Sequence, residues 1–248
     1  GNFTTLDPFE DSPKIFAVYK EYKKWGRIVG VHSVGNLNAL VASRKIREFI
    51  QIAEAFQQKK LAEIADAIYE KRDSVKVVLI AGPSSSGKTT TAKRLVIQLR
   101  VLGLDPIPVS LDDYYVNHDR TPIDEEGKPD YECLEALDVE YLNEQLVDLL
   151  KGKEIETPSY DFKTGMRRET GGKKIQLGRR SVLILEGIHG LNDKLTRHID
   201  RARKFKLYVS ALTQLNLDDH NRIPTSDNRL IRRMVRDYQF RGNSAAGT

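Results

Sequence analysis

Apolar and polar residues follow two different patterns along this chain of 248 residues. From Ser43 to Tyr69, apolar residues recur at intervals of three and four, which predicts one long helix or two helices joined near residues 57–60. Beyond Ser74, short apolar runs alternate with helical patterns, which is typical of an α/β domain with a mainly parallel sheet. We therefore predict an N-terminal region over residues 1–74 and an α/β domain over residues 75–248.

The α/β region contains several strand and helix candidates. The strands are predicted at Lys76–Ala81, Ile107–Leu111, Val182–Leu185 and Lys204–Val209, and the helices at Thr89–Leu102, Val139–Leu150 and Asn228–Tyr238. Asp138 and Gly152 flank the second helix, as an N-cap and a helix-ending glycine should. Before residue 38, short apolar patches broken by Gly26, Gly30 and Gly35 predict a small mixed region, so that residues 1–74 are mixed or helical as a whole.

Residues 82–89 read G-P-S-S-S-G-K-T and fit the phosphate-binding pattern G-x-x-x-x-G-K-[ST]. The apolar run that ends at Ala81 supplies the buried strand that such a loop must follow. Glycines let backbone N–H groups approach an anion, and the next helix adds the positive end of its dipole. We therefore predict a P-loop NTPase-type sheet, mainly parallel and flanked by helices, that binds a nucleoside triphosphate.

Each residue of the loop has an expected task. Lys88 places an ammonium near the β- and γ-phosphates, and the Thr89 hydroxyl is placed to ligate Mg²⁺. The residues predicted to bind the phosphates are Gly82, Ser84, Ser85, Ser86, Gly87, Lys88, Thr89 and Thr90.

Two acidic residues follow predicted strands, where ligands collect in sheets of this kind. Glu186 ends the third strand candidate and is predicted to hold Mg²⁺ directly or through water. Asp112 follows the second strand and is predicted to accept the proton of an attacking hydroxyl. Turn formation or simple solvation is the alternative for either acid.

Composition narrows the class of protein. A content of 40% hydrophobic and 30% charged residues is typical of a soluble globular protein, and no apolar run is long enough to cross a bilayer. The single cysteine, Cys133, fits a reducing compartment, so the cytoplasm is the expected location. The net charge of +5 suits a polyanionic ligand, and the scattered histidines show no zinc-ligand spacing.

Five ordered blocks of sequence together resemble the uridine kinases, within the wider group that contains phosphoribulokinase. The resemblance covers the chain from about Val75 onward. Its blocks are Gly82–Thr91, Ser110–Tyr115, Pro158–Phe162, Leu185–Ile188 and Asp227–Asp237.

The resemblance implies an ATP-dependent kinase that transfers the γ-phosphoryl group to the 5′-hydroxyl of a nucleoside. It implies that Asp112 is the base for that hydroxyl and that Thr89, Asp112 and Glu186 surround Mg²⁺. The implied substrate-binding residues are Tyr115, Tyr131, Glu132, Tyr160, Phe162 and Arg233.

Two positions depart from the family pattern. Glu132 stands where the family usually has Asp, and Gly165 stands where uridine-cytidine kinases use His to read the pyrimidine edge. Glycine has no side-chain donor, so the base specificity of the family cannot be carried over to this chain. The sequence therefore leaves the identity of the acceptor open. It also leaves open the choice between ATP and GTP.

An arginine-rich helix is predicted to act as a lid over the phosphates. From Asn228, Arg229, Arg233 and Arg236 lie at i, i+4 and i+7 and share a face. The resemblance assigns Arg233, Arg236 and Arg241 to phosphate or substrate binding, with Lys88 and Arg233 as catalytic partners of Asp112. A solvated basic face is the alternative.

The ends of the chain carry a further expectation. The segment His32–Asn38 and the long helical region resemble the threonyl-tRNA-synthetase-like N-terminal extension of some bacterial uridine-kinase-like proteins. The chain is expected to be a fragment, because it stops inside the lid region. Two other functions stay open, namely a related kinase for another sugar or sugar phosphate, and a nucleotide-dependent RNA-binding or regulatory module. A homo-oligomer is also left open.

Overall fold

The computed structural model describes residues 12–245, apart from residues 163, 169, 214, 219 and 243 and the side chains of Phe240 and Arg241. Contacts between Cα atoms divide the chain into two compact units. One unit joins the residues up to Ala53 to Leu212–Asn228, and the other joins Glu54–Ala211 to the residues from Arg229 onward. The boundary between residues 74 and 75 stays a prediction.

The elements are numbered in chain order. Helices α1 to α6 span Pro13–Ile28, Val34–Ala42, Ile46–Tyr69, Lys88–Val101, Val139–Leu150 and Thr225–Arg241. Strands β1 to β8 span Val77–Ala81, Asp105–Ser110, Ile155–Glu156, Ser159–Asp161, Met166–Arg168, Lys174–Ile175, Ser181–Glu186 and Lys204–Tyr208.

The described residues before α3 are helical rather than mixed. Two of the glycines that suggested interruptions lie inside helices, Gly26 in α1 and Gly35 in α2. A Cβ at Gly26 would lie only 2.9 Å from the Val31 carbonyl oxygen, so this glycine permits a close chain approach instead of ending the helix. The pattern predicted from Ser43 to Tyr69 forms a single helix from Ile46 to Tyr69, because no glycine or proline interrupts it near residues 57–60, while Ser43 caps the end of α2.

Four parallel strands form the central sheet of the second unit, in the order β2-β7-β1-β8. Every residue of β1 is buried, as expected of a strand that is covered on both faces. Val77 and Leu79 of β1 pack in one apolar cluster with residues of α5, while Val78 and Ile80 pack in a second cluster with residues of α3 and α4. This alternation confirms the predicted parallel sheet flanked by helices.

The strand predictions are correct to within about two residues, and the largest shift is at β2. This strand runs from Asp105 to Ser110 and therefore contains Pro106 and Pro108. Proline cannot donate to a sheet ladder, yet β2 pairs only with β7 and lies at the edge of the sheet, where proline is tolerated. The α5 bounds match the prediction, and the Asp138 side chain accepts a hydrogen bond from the Tyr141 N–H, which confirms the N-cap.

Two small antiparallel pairs were not predicted. β3 pairs with β6, and β4 pairs with β5. These strands have two or three residues each and contain charged side chains, so they carry no periodic apolar signal. The β4–β5 hairpin is held by Arg167, whose guanidinium donates two 3.1 Å hydrogen bonds to Asp138 Oδ2 and lies over the Tyr141 ring.

Substitution of Asp138 tests this anchoring. We expect Asp138→Ala to lower the free energy of unfolding by about 2–4 kcal/mol, since it removes a helix cap and leaves Arg167 without this carboxylate in a half-buried place. Urea unfolding measures the change. The matched control is Asp148→Ala, also on α5, whose ion pair with Lys153 is exposed and should contribute less than about 1 kcal/mol. Equal effects of the two substitutions would contradict the anchoring role.

Candidate active site

The loop between β1 and α4 has a shape that only glycine permits at two points. A Cβ at Gly82 would lie 2.0 Å from the Val209 carbonyl oxygen, so no other residue fits there. Gly87 has a φ of +102° at the N-cap of α4, in the left-handed region that favours glycine. Ser85 has a φ of +59° without being glycine, which is uncommon and costs free energy. The predicted phosphate loop is therefore tightly curled and partly strained.

Polar groups of this loop converge where an anion would bind. The Ser85 and Ser86 hydroxyls are buried and have no hydrogen-bond partner among the described residues. The Lys88 ammonium donates to the Pro83 carbonyl oxygen at 3.3 Å, which holds it against the loop. Thr90 is exposed on the first turn of α4, whose N-terminal N–H groups face the same region. This arrangement suits a phosphate group.

Strand register brings Glu186 beside the loop. Glu186 pairs with Ile80 of β1 on one side and with Ser110 of β2 on the other. Thr89 Oγ1 donates a 2.8 Å hydrogen bond to Glu186 Oε1, so two of the three residues predicted to hold a metal are in contact.

The acidic residues and Lys88 influence one another electrostatically. Burial raises the pKa of Glu186, the Thr89 hydrogen bond lowers it, and the negative charge of Asp112 raises it further. Burial lowers the pKa of Lys88, while Glu186 and Asp112 act in the opposite direction. Asp112 lies in the short turn Leu111–Tyr114, and its N–H donates to Ser110 Oγ at 3.3 Å. The structure therefore brings together the predicted base, the predicted metal ligands and the loop lysine.

The four aromatic residues predicted to bind an acceptor form one cluster. The ring of Tyr115 lies 5.6 Å from Tyr131, 5.5 Å from Tyr160 and 6.0 Å from Phe162, measured between centroids. Tyr160 and Phe162 are 5.0 Å apart in an edge-to-face arrangement. The Tyr115 hydroxyl donates a hydrogen bond to the Tyr131 carbonyl oxygen at 3.0 Å, which holds these two residues of the cluster together. Phe162 remains 49% exposed, so part of the aromatic surface of the cluster is accessible to solvent.

The two departures from the family pattern have defined surroundings. Gly165 has a φ of +67°, and a Cβ there would lie 2.9 Å from Cβ of His118. His118 also donates its backbone N–H to the Gly165 carbonyl oxygen at 2.9 Å, so a side chain at position 165 would require His118 to move and would strain the backbone. Glu132 is largely exposed, and its carboxylate lies 3.8 Å from the Arg233 guanidinium.

Helix α6 directs several arginines at the phosphate loop. Arg229 Nε donates to the Ser84 carbonyl oxygen at 3.3 Å, and Arg236 Nη1 donates to Ser84 Oγ at 3.1 Å. Arg232 Nε donates to the Ser85 carbonyl oxygen at 3.2 Å. Sequence reasoning missed Arg232, although its spacing of three from Arg229 and four from Arg236 could have placed it on the same face.

The ion pairs of Arg233 are with carboxylates, and one of them is Glu132, which is also predicted to bind substrate. Arg233 Nη1 lies 3.8 Å from Glu132 Oε1, and Arg233 Nε lies 3.7 Å from Asp237 Oδ2. The side chain of Arg241 lies outside the described part of the structure.

A third acid at the site, Asp113, was not predicted as a site residue. Asp113 follows Asp112, and its Oδ1 accepts the Tyr160 backbone N–H at 3.5 Å. Burial raises the pKa of Asp113, and the neighbouring Asp112 raises it further. Asp113 thereby links the acidic turn to the aromatic cluster. Adjacency to Asp112 was the only signal in the sequence.

Comparison with known proteins places this site in a family. The profile of the phosphoribulokinase/uridine kinase family matches residues 77–248. Uridine kinase from Bacillus subtilis (strain 168) is 34% identical over 168 residues, which cover 68% of this chain and 70% of that protein. Uridine kinase from Ligilactobacillus salivarius (strain UCC118) is 35% identical, with 68% of this chain and 69% of that protein covered.

A solved structure agrees in fold. The structure described as a "possible uridine kinase" from Bacillus stearothermophilus has a TM-score of 0.51 and 23% identity, and the match covers 74% of this chain and 90% of that chain. At this identity the likeness shows the fold alone. Within the part of the chain that the structure describes, no helix is both long and apolar enough to cross a membrane.

Burial of Glu186 predicts a dependence of stability on pH. An acid whose pKa is raised in the folded state destabilises that state when ionised, and the penalty grows as pH rises from the unfolded pKa through the folded pKa. Glu186→Gln removes the charge and keeps an acceptor for Thr89. We therefore expect the variant without ligands to unfold at higher urea concentration than the wild type at pH 7, with the difference shrinking toward pH 4.

The control for this titration is Glu144→Gln, because Glu144 is exposed on α5. It should follow the wild type at each pH. A Glu186→Gln variant that is less stable than the wild type at pH 7 would show that ionised Glu186 stabilises the fold, contrary to this account.

Proposed function

This chain belongs to the phosphoribulokinase/uridine kinase family, and from that membership and the geometry of the site we propose that it is an ATP-dependent kinase. It transfers the γ-phosphoryl group of ATP to the 5′-hydroxyl of a nucleoside. The relatives named uridine kinase support this choice over another sugar kinase and over an RNA-binding switch.

One observation supports the proposal most directly, namely that the turn Leu111–Tyr114, which contains Asp112, adjoins both the residues of the phosphate loop and the aromatic cluster around Tyr115. The charge of Asp112 acts on Lys88 and Glu186 on the phosphate side. Three residues later, Tyr115 is the centre of the aromatic cluster. A nucleotide-binding switch needs the first of these sites but has no use for the second.

Transfer would depend mainly on positioning and on stabilising charge. Asp112 accepts the hydrogen bond of the acceptor hydroxyl and takes its proton as the new P–O bond forms, while the bond from the γ-phosphorus to the bridging oxygen breaks and ADP leaves. Lys88 and Arg236 stabilise the charge of the phosphoryl group, and backbone N–H groups from Ser84 to Thr89 orient the remaining phosphates. Thr90 and Arg241 are proposed to complete the phosphate site.

The donor set fits Mg²⁺. Thr89 supplies a hydroxyl and Glu186 and Asp112 supply carboxylates, which are the hard oxygen ligands that this ion prefers. Among the described residues no group of three or more His, Cys, Asp or Glu side chains could hold a metal. Mg²⁺ itself needs few carboxylates, because phosphates and water complete its shell. When bound, the ion would neutralise charge on the phosphates.

The acceptor site would take a flat ring. The cluster of Tyr115, Tyr131, Tyr160 and Phe162 offers aromatic faces and edges to a base. Glu132 is proposed to accept hydrogen bonds from ribose hydroxyls, with Arg233 beside it. Position 165 supplies no side chain, so we propose a uridine- or cytidine-like acceptor without assigning the group that reads its base.

Three wider features remain proposals. The synthetase-like N-terminal extension over residues 1–74 and the kinase domain over residues 75–248 follow from the resemblance. The cytoplasm is the proposed location, and a homo-oligomer is a proposed assembly.

ADP release across a panel of nucleosides and sugars with Mg-ATP tests the proposal. We expect uridine or cytidine to stimulate release and Asp112→Asn to lower kcat on the order of 10²–10⁴-fold, because the variant cannot take the proton. Asp119→Asn is the matched control, since Asp119 is an exposed acid a few residues further on.

Two other results would contradict the proposed function. Stimulation only by another sugar or sugar phosphate would replace the nucleoside in the proposal. ATP binding without stimulation by any acceptor, together with RNA binding that ATP alters, would favour the regulatory module.

A further inference from the structure

Asp237 is a buried acid on α6 that the mechanism above does not use. The residue is 2% exposed, although it lies on a helix whose neighbouring residues are mostly exposed or half-buried. A buried carboxylate needs charged or polar partners to remain ionised. Two of its partners are arginines of the candidate site.

Arg236 binds Asp237 in an unusual way. Arg236 Nε donates to Asp237 Oδ1 at 2.8 Å, and Nη2 lies 2.7 Å from the same oxygen. Adjacent residues on a helix do not normally face each other, so the Arg236 side chain must fold back to make this pair. The close contact of Nη2 is an ion pair without hydrogen-bond geometry. Because the guanidinium is a rigid plane, the hydrogen bond of Nε restricts the direction of Nη1. That remaining nitrogen donates to Ser84 Oγ in the phosphate loop at 3.1 Å.

The same carboxylate also meets Arg233. Arg233 Nε lies 3.7 Å from Asp237 Oδ2, and another nitrogen of Arg233 lies 3.8 Å from Glu132. One buried acid therefore contacts both an arginine at the phosphate loop and an arginine at the proposed ribose contact.

We propose that Asp237 is a positioning residue that sets the orientation of Arg236 toward the phosphates and holds Arg233 beside the acceptor site. The proposal rests on the proposed function. Asp237 touches neither ATP nor the acceptor and acts through the two arginines. Removing its charge frees the Arg236 fork to rotate, so the cation stays present but no longer points at the loop.

Equilibrium binding of a non-hydrolysable Mg-ATP analogue to the full chain tests the proposal without requiring an acceptor. We expect Asp237→Asn to weaken binding about ten-fold, as loss of a buried, hydrogen-bonded charge partner does. In an Arg236→Ala background the same substitution should have almost no further effect, because the side chain through which it acts is gone. Asp227→Asn, an exposed acid on the same helix, is the control and should bind like the wild type.

A second variant keeps the test decisive if Asp237→Asn fails to fold. Arg236→Lys retains the positive charge but lacks the planar fork, so we expect it to bind the analogue about as weakly as Arg236→Ala. Binding by Arg236→Lys that equals the wild type would overturn the proposal, as would additive effects of Asp237→Asn and Arg236→Ala. Unchanged affinity in a folded Asp237→Asn variant would do the same. The variants could bind the analogue with the expected differences in affinity while no acceptor stimulates ADP release by the wild type. That result would contradict the kinase assignment and leave the role of Asp237 supported.

Discussion

The parallel register of three strands is the constraint on which the candidate site depends. Glu186 of β7 is level with Ile80 of β1 and with Ser110 of β2, so all three strands end at one edge of the sheet. The phosphate loop, Glu186 and the turn that contains Asp112 must then leave the sheet side by side. A slip of one residue in any of these strands would turn its side chains to the opposite face and separate the groups. The apolar clusters on the two faces of the sheet fix this register.

The core also stabilises a site that is unfavourable by itself. Burial disfavours the charged forms of Lys88, Glu186 and Asp113, as the directions of their pKa shifts show. Ser85 adds backbone strain in the loop. These costs are what a preorganised phosphate site requires, because its cations and N–H groups must already point inward before the ligand arrives. The arginines of α6 add cations that donate hydrogen bonds to Ser84 and Ser85 of the same loop.

Much of this architecture could be predicted from the sequence, for reasons that also explain the failures. Apolar runs indicate buried strands, so the bounds of β1 and β7 were predicted to within one residue. The phosphate-loop pattern also predicts a buried strand before the loop and a helix after it, and β1 and α4 occupy these places. The hairpins β3–β6 and β4–β5 are too short and too polar to leave a periodic signal. Helix periodicity identified the arginine face, but it could not show that Arg233 turns to carboxylates while Arg232 contacts the loop. Such choices depend on side chains from distant parts of the sequence.

The central claim is that the phosphate loop and the aromatic cluster serve one transfer reaction. The most direct measurement is proton-coupled ³¹P NMR of the product formed from Mg-ATP and uridine or cytidine by the full chain. The account predicts a new phosphomonoester whose phosphorus couples to the two protons of the nucleoside 5′-carbon, together with ADP. Inorganic phosphate and ADP with no nucleoside phosphomonoester, or a phosphoryl group attached to another ribose oxygen, would contradict it.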